Sequence, residues 1–515
     1  MRDPWPALFA GLLLGAAFLP GPFGFLAWGA FVPLLDRLAR RLREGAPLRS
    51  LFSLGYAFGL AFFLIGTHWI ALLSDVAITV PWLKYPAWLA AAAYLALFPA
   101  LAALLAGALA RRARVPLAFT FPVAFLAVEE LRASGELGFP WFQPGYTQHA
   151  YVPLIQMASL GGVTLVTLWV LALNVLLWRA LAGGSRLRAA IGALLLVLLP
   201  WVWGLRVLDA APRGTGPAVA LVQGNIPGEV KWSGDHQAEI LATFLRLSER
   251  AAQSQPRPAV IIWPETATGS YLRKQLDQAL QVAAFAACAR VPVFAGFADY
   301  AYDSLGVQRH HNAAGMFAPD GALGEVYAKR HLVPFGERMP FQRLFPALGK
   351  LELGQAEWTP GRRPVLFRSA AGPFGCLVCF ESIFPDLSRE DVRAGARWLV
   401  NITNDEWFGE SAALYQHAAM AVFRAVENHV PLARCANTGL TMLVDANGRV
   451  VERLPVFTDA VLASALPPWN PAGFPTPFTR FGDWPGALAR VTLAARARAA
   501  ARRKHPTSGD RGRAL

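Results

Sequence analysis

The chain has 515 residues, of which 55% are hydrophobic and 16% are charged, a balance that excludes an ordinary soluble protein. Its formal net charge of +14 is concentrated in loops between apolar segments and in the C-terminal tail, where membrane proteins collect positive charge. Composition therefore predicts a membrane protein, and we expect no nucleic-acid partner because no nucleic-acid-binding module is evident.

Seven apolar segments occupy the first 207 residues, and most approach the roughly 20 residues that a spanning helix requires. They lie at 5–19, 23–35, 53–74, 86–110, 116–131, 159–182 and 189–206. The first two are short, so they could form a tight hairpin or a re-entrant pair. A cleaved signal peptide is not expected, because the N-terminal stretch has one arginine and no small-residue cleavage site. Residues 1–207 are predicted to form a polytopic transmembrane bundle of about seven spans.

Arginines orient these spans, because positive charge collects in cytoplasmic loops. They follow the second, fourth and sixth segments: Arg37, Arg40, Arg41, Arg43 and Arg49; Arg111, Arg112 and Arg114; Arg186 and Arg188. The N-terminus is therefore predicted to be cytoplasmic and residues 208–470 extracytoplasmic. In the region 471–515, a weak apolar segment at 482–498, interrupted by arginines, would return a basic tail to the cytoplasm.

From residue 218 onward short apolar strands alternate with helices, which is typical of a layered α/β domain. Strands are predicted at 218–223, 258–263, 291–296 and 398–403, with another ending at Cys379. Helices are predicted at 233–254, 271–290, 385–396 and 411–429. Two hairpins are expected to turn at Pro319-Asp320-Gly321 and at Asn447-Gly448.

Cys379 lies where a buried strand is predicted to end and a helical segment to begin. Backbone N–H groups of the next turn can stabilise a thiolate at such a place, so Cys379 is a candidate nucleophile. The alternative is that Cys379 is only a small residue of the hydrophobic core. Cys376 and Cys379 also form a C-x-x-C pair, but the other cysteines are isolated, so neither a zinc site nor any other metal site is predicted. No cofactor is expected.

Two charged residues follow other predicted strands and would complete the chemistry. Glu265 comes directly after an apolar run, and Lys329 follows the first hairpin. A cysteine that attacks a carbonyl needs a base, which a carboxylate supplies, and a positive group where the oxyanion forms, which an ammonium supplies. Taken separately, each could equally be an ordinary exposed charge.

Four motifs together resemble the carbon–nitrogen hydrolase (nitrilase) superfamily, and with the N-terminal spans the chain resembles the bacterial apolipoprotein N-acyltransferase family. The motifs are Trp263-Pro264-Glu265, Tyr327-Ala328-Lys329 continuing through His331-Leu332-Val333-Pro334-Phe335-Gly336-Glu337, Cys379-Phe380-Glu381-Ser382, and Asn404-Asp405-Glu406-Trp407-Phe408-Gly409. The resemblance implies a nitrilase-like αββα sandwich joined to a membrane bundle, with the active site facing the outer leaflet.

The resemblance also implies roles for individual residues. Cys379 would be the nucleophile, Glu265 the general base and Lys329 the oxyanion stabiliser. Two further acids and an amide near the nucleophile also match the family: Glu337, Glu381 and Asn312. Four more positions match substrate-contacting or motif residues of the family: Trp232, Trp407, Phe380 and Pro340. Alternatives for the acids are that Glu337 pairs with Arg338 or Arg330 and that Glu381 caps the following helix.

The implied reaction moves an acyl chain from the sn-1 position of a membrane phospholipid, through a Cys379 thioester, to the N-terminal amine of a diacylglyceryl-cysteine lipoprotein. The implied partners are therefore two lipids and the bilayer. Residues 338–358, which mix apolar and charged side chains, could form an interfacial flap or an ordinary helix and loop. Two other functions stay open: a membrane-anchored amidase or nitrilase that uses water as acceptor, and a transporter with an outer binding domain.

Overall fold

The computed structural model describes residues 4–75, 80–182, 186–342, 344–350, 356–469 and 475–504. The chain divides into two compact units. One comprises residues 1–71, 85–204 and 483–515, and the other comprises residues 72–84 and 205–482.

The first unit is helical and strongly apolar. The α-helices of the chain before the first strand are α1 (Trp5–Ala16), α2 (Val32–Arg43), α3 (Leu48–Gly66), α4 (Lys84–Leu95), α5 (Leu97–Arg112), α6 (Leu117–Arg132), α7 (Val152–Ile155), α8 (Ala158–Ala182) and α9 (Arg186–Asp209). Four helical stretches of the described chain are long and apolar enough to cross a membrane: Leu48–Leu72, Pro81–Arg112, Ala158–Ala182 and Arg186–Asp209. They coincide with four of the seven predicted segments. The count of about seven spans stays a prediction.

Close helix packing in this unit depends on glycine. A Cβ at Gly11 of α1 would lie 2.2 Å from the carbonyl oxygen of Phe58 on α3. Backbones can approach this closely only where the side chain is a hydrogen atom, as is common between helices in membranes. The contact places α1 directly against α3.

The strands of the second unit are β1 (Ala218–Gln223), β2 (Ile261–Ile262), β3 (Val293–Tyr302), β4 (Gln308–Phe317), β5 (Leu323–Ala328), β6 (Phe367–Ser369), β7 (Gly372–Val378), β8 (Trp398–Thr403), β9 (Leu432–Ala436), β10 (Met442–Val444), β11 (Val450–Arg453) and β12 (Ala460–Ala465). They form two six-stranded sheets with the orders β12-β1-β2-β3-β4-β5 and β11-β10-β9-β8-β7-β6. Three central strands of each sheet run parallel, β1-β2-β3 and β7-β8-β9. Strands β12, β4, β10 and β6 run antiparallel to them, and the edge strands β5 and β11 run in the central direction again.

The two sheets face each other and are covered by helices on their outer sides. Phe294 of β3 contacts Phe374 of β7 at 5.1 Å between ring centroids, and the Cys435 thiol of β9 donates to the carbonyl oxygens of Val222 and Ile262. The helices of this unit are α10 (Gly228–Trp232), α11 (Gln237–Ala252), α12 (Leu276–Ala289), α13 (Pro385–Arg393), α14 (Ala412–Asn428) and α15 (Pro477–Phe481). Helices α11 and α12 pack on the first sheet, and α13 and α14 on the second. This αββα sandwich is the predicted fold.

The last helix, α16 (Trp484–Lys504), belongs to the first unit. Its start is fixed to α8, because Trp484 Nε1 donates to Leu160 O at 2.8 Å and Thr164 Oγ1 donates to Asp483 Oδ2 at 2.5 Å. The predicted weak span at 482–498 is therefore helical. Residues 471–474 and 505–515 of the predicted C-terminal region lie outside the described residues, as do 343 and 351–355 of the predicted flap.

Candidate active site

Four loops that leave strands of the two sheets carry the candidate catalytic groups. Glu265 follows β2 and Lys329 follows β5 in the first sheet, whereas Cys379 follows β7 and Asn404 follows β8 in the second. Open α/β sheets gather functional groups just beyond the carboxyl ends of their strands. The sandwich brings two such edges together, so groups far apart in sequence can meet.

Lys329 lies between two carboxylates and is 1% exposed. Its Nζ atom is 3.3 Å from Glu265 Oε1 and 2.8 Å from Glu337 Oε1. Burial alone would lower the pKa of this amine, but Glu337 and Glu265 outweigh burial and raise the pKa above its usual range. Lys329 is therefore a permanent buried cation at neutral pH.

Asn312 on β4 completes this cluster. Its side-chain Nδ2 donates to Glu265 Oε1 at 2.7 Å and to Glu337 Oε1 at 3.0 Å. The backbone N–H of Val333 donates to the other oxygen, Glu337 Oε2, at 2.8 Å. Both acids are thus held in fixed orientations around one ammonium, which is the preorganisation that electrostatic catalysis requires.

Cys379 begins a 3-10 helix, Cys379–Ile383, and adopts the left-handed conformation with φ of 50°. A residue with a Cβ rarely adopts this conformation, and such residues cluster at functional sites. A tight turn of this kind between a strand and a helix exposes the nucleophile in enzymes of the α/β-hydrolase fold. The backbone of Cys379 therefore matches the position predicted for a nucleophile.

The environment of Cys379 keeps its thiol protonated at rest. Burial raises the pKa of the thiol above its usual range, and the carboxylate of Glu265 raises it further, whereas the Lys329 ammonium opposes the change. Because only the thiolate attacks carbonyl carbon readily, a nucleophilic reaction at this cysteine would require a base that takes its proton. Glu265 is the carboxylate that affects it most strongly.

Glu381 lies beneath the same turn and joins it to the lysine loop. Its Oε1 atom accepts bonds from the Tyr327 hydroxyl at 2.7 Å and from the backbone N–H of Arg330 at 2.6 Å, and its Oε2 atom accepts from the Val378 N–H at 2.8 Å. Burial raises the pKa of this acid, and the N–H of Val378 opposes the change. Glu381 thus caps the turn that carries Cys379 and links this turn to the loop that carries Lys329.

The predicted substrate-contacting residues lie on four different segments, and Phe380 directly follows Cys379 in the 3-10 helix Cys379–Ile383. Trp232 ends α10 and is 41% exposed, whereas Phe380 is buried and packs edge-on against Phe384 at 5.2 Å. Trp407 is half-buried in the 3-10 helix Asp405–Phe408, and Pro340 is buried. The backbone N–H of Gly228 donates to the carboxylate of Glu406, a bond that joins the two tryptophan loops.

Sequence patterns did not single out two further groups beside the cluster. Lys231 is fully buried, its Nζ donates to the backbone oxygen of Glu265 at 3.2 Å, and burial lowers its pKa to about 8 against the opposing effect of Glu265 and Glu406. His417 on α14 contacts the backbone oxygen of Cys379 at 3.1 Å. For His417 the one available signal was a polar residue inside the largely apolar helix α14, and that signal is weak. Lys231 lies in the short polar helix α10, where a lysine is unremarkable.

The chain is similar to known proteins along nearly its whole length. The family profile described as "Apolipoprotein N-acyltransferase N-terminal domain" matches residues 10–176, and the profile described as "Carbon-nitrogen hydrolase" matches residues 218–468. An apolipoprotein N-acyltransferase from Geobacter metallireducens is 36% identical over 490 residues, covering 94% of this chain and 92% of that protein. One from Rhodopseudomonas palustris is 33% identical over 505 residues, with coverage of 94% and 92%. The solved structure of an amidase from Nesterenkonia sp. has a TM-score of 0.37 and 18% identity, covering 50% of this chain and 93% of that one.

Proposed function

This chain belongs to the apolipoprotein N-acyltransferase family, and on that premise we propose that it transfers an acyl chain from the sn-1 position of a membrane phospholipid to the N-terminal amine of a lipoprotein's diacylglyceryl-cysteine. The single observation that carries the chemistry is the Glu265–Lys329 contact at 3.3 Å, beside a cysteine held in a left-handed turn.

In the first half-reaction Glu265 takes the thiol proton of Cys379, and the sulfur attacks the ester carbonyl of the phospholipid. The carbonyl oxygen becomes negative, and the Lys329 ammonium stabilises it. The carbon–oxygen bond of the ester then breaks, and the departing lysophospholipid alkoxide takes the proton from Glu265. An acyl thioester on Cys379 remains.

In the second half-reaction the diacylglyceryl-cysteine amine attacks the thioester. Glu265 accepts a proton from the amine, the carbon–sulfur bond breaks, and the proton returns to the sulfur as an amide forms. The scheme is ping-pong and needs no cofactor. Glu337 and Asn312 orient Lys329 and Glu265 through the bonds described above, and Glu381 orients the nucleophile turn.

We propose a bacterial plasma (inner) membrane location with residues 208–470 on the extracytoplasmic side. Support comes from the arginines that follow alternate apolar segments. The proposed division assigns 1–207 to the membrane bundle and 471–515 to a last span with a basic tail. Trp232, Trp407, Phe380 and Pro340 are proposed to contact the lipid substrates.

Purified protein incubated with phospholipid labelled in its sn-1 chain and a diacylglyceryl peptide tests this function. We expect labelled N-acyl peptide and, without peptide, a hydroxylamine-sensitive label on Cys379 identified by mass spectrometry. Release of free labelled fatty acid with no N-acyl peptide would show a hydrolase instead. A Cys379→Ser variant should lose the hydroxylamine-sensitive label.

A transporter is disfavoured by the placement of charge in the helical unit. Glu129 and Arg132 pair with each other near one end of α6, where both are buried. Transporters commonly place such groups near the middle of the bilayer, along the substrate path. Under that alternative the Cys379→Ser variant would keep full function.

A further inference from the structure

The carbonyl oxygen of Cys379 is held by two buried side chains. His417 Nε2 lies 3.1 Å from this oxygen, and the Ser382 hydroxyl donates to it at 3.0 Å. His417 Nε2 is also 3.0 Å from Ser382 Oγ. All of these side chains are shielded from solvent, so water does not compete for the same oxygen.

The position of the imidazole proton follows from these neighbours. The carbonyl oxygen of Cys379, which faces Nε2, can only accept, and the Arg434 guanidinium, which faces Nδ1, can only donate. The Ser382 hydroxyl can donate or accept, so it fits either tautomer. We assign the proton to Nε2, because that tautomer makes both of the unambiguous contacts hydrogen bonds.

The opposite edge of the ring is fixed by a buried ion pair. His417 Nδ1 is 3.1 Å from Asp405 Oδ1 and 3.1 Å from Arg434 Nη2, and Arg434 Nη2 donates to Asp405 Oδ2 at 2.7 Å. Burial and the Arg434 charge lower the pKa of His417, which keeps the ring neutral at pH 7. In the neutral ring with Nε2 protonated, Nδ1 accepts from Arg434, and Asp405 Oδ1 accepts its hydrogen bond from the Thr403 hydroxyl.

The same ion pair reaches the neighbourhood of the sulfur through Thr403. The Thr403 hydroxyl donates to Asp405 Oδ1 at 2.8 Å, and Thr403 also contacts the Cys379 thiol. One buried cluster, defined here as Thr403, Asp405, His417 and Arg434, therefore contacts both the side chain and the backbone of Cys379. Its members come from β8, its following turn, α14 and β9.

We propose that His417 is a positioning residue for the nucleophile, because its Nε2–H holds the Cys379 carbonyl and so keeps Cys379 in its left-handed conformation beside Glu265 and Lys329. This inference rests on the proposed function in which Cys379 attacks the acyl donor. His417 does not touch the reacting atoms. It acts through the peptide plane that follows Cys379, which sets the direction of the sulfur.

A pair of polar variants separates this role from general stability. The side-chain amide of His417→Gln can reach the position of Nε2 and donate to the Cys379 oxygen, whereas the shorter amide of His417→Asn cannot. Thr479→Val is the matched control. The Thr479 hydroxyl donates at 2.9 Å to Oδ1 of Asn428, which lies on α14 like His417 but at the far end of that helix. Ser382→Ala removes the other donor to the carbonyl and supplies a second test if His417→Asn fails to fold.

Two rates are measured on the full-length protein in detergent. The first is alkylation of Cys379 by iodoacetamide, followed by mass spectrometry of its peptide, and the second is single-turnover thioester formation from phospholipid. We expect both rates to fall about 10²-fold in His417→Asn, because small misplacements of reacting groups cost about that much. His417→Gln should stay within about tenfold of the wild-type rates, and Ser382→Ala should fall between the two variants. Thr479→Val should lose thermal stability without losing either rate.

The proposal is overturned if His417→Gln and His417→Asn react at equal rates. If His417→Asn does not fold, an unchanged rate in Ser382→Ala overturns it. So does a loss in Thr479→Val as large as that in His417→Asn. Alkylation needs no lipid, so it tests the positioning role even if the wild-type protein fails to transfer acyl chains. That failure would contradict the proposed function alone.

Discussion

Oε2 of Glu265 accepts a hydrogen bond from the backbone N–H of Asn404 at 2.7 Å. Glu265 follows a strand of the first sheet and Asn404 follows a strand of the second, so this bond crosses between the sheets. The other oxygen, Oε1, faces Lys329 and Asn312. The carboxylate is thus held from both sides, and its orientation depends on the sandwich as a whole.

Replacing Glu265 by glutamine tests its role as the base. The amide oxygen can still accept from Asn404, but the side chain can no longer take the thiol proton. We expect thioester formation to slow by about 10²–10⁴-fold. The new NH₂ group faces the donors Lys329 and Asn312, so the variant should also unfold at a lower temperature, and its activity is measured well below that temperature. The burst of lysophospholipid release measures this step. Glu239→Gln, on an exposed part of α11, is the control and should react normally. A normal burst in Glu265→Gln would remove Glu265 from the mechanism.

Removing Lys329 should destabilise the protein as well as stop the reaction. In Lys329→Met two buried carboxylates, Glu265 and Glu337, lose their shared cation, and breaking such a buried pair costs about 3–5 kcal/mol. The double variant Lys329→Met/Glu337→Gln removes one of the opposed charges, so it should regain part of the stability but none of the activity. Thermal unfolding and transfer assays on the four proteins of this cycle measure both effects. Additive losses of stability would contradict the proposed coupling between Lys329 and Glu337.

The layered fold was predictable because strands buried on both faces appear as continuous apolar runs. Strands β1 and β8 were predicted with the bounds that the structure has, and both predicted hairpin turns are confirmed. The strand predicted at 258–263 forms β-sheet pairing only over Ile261–Ile262. The helix predicted at 233–254 begins at Gln237, after the short helix α10. The antiparallel strands β6 and β12 carry weaker signals, because both are only partly buried and β6 is also short.

The site was predictable only in part, for a different physical reason. The sequence singled out Glu265, Lys329 and Cys379 because polar residues that follow apolar runs are conspicuous, and the motif resemblance implied roles for them that stay predictions. The contact of Asn404 uses a backbone N–H, which every residue except proline has. His417 contacts Cys379 across 38 positions of sequence, and no local pattern encodes such a pairing.

Lys231 should make stability depend on pH in a way that a methionine removes. Burial lowers its pKa from 10.5 to about 8, so the folded protein loses this proton before the unfolded chain does. The free-energy cost of keeping Lys231 charged in the folded protein is full below about pH 8. This cost disappears above the pKa of the same lysine in the unfolded chain, so the free energy of unfolding rises with pH between these two pKa values. We expect wild type to gain about 3 kcal/mol relative to Lys231→Met between pH 7 and pH 10, from chemical unfolding at both values. Lys274→Met, at an exposed lysine, should show no such change, and the same curve for both variants would contradict this prediction.

The predicted flap can be tested at Leu344, which is 72% exposed, near Phe345 at 62%. Exposed apolar side chains of this kind lower the free energy of a protein at a lipid surface, and burying one leucine contributes about 1.5–3 kcal/mol. Leu344→Asp should therefore raise, by about tenfold or more, the phospholipid concentration in mixed detergent micelles that gives half-maximal thioester formation. Alkylation of Cys379 should not change, since the substitution leaves the nucleophile turn intact. Leu305→Asp is the matched control, because Leu305 is 84% exposed on the turn between β3 and β4. An equal effect in the two variants would mean that the loss reflects added charge rather than contact between this segment and lipid.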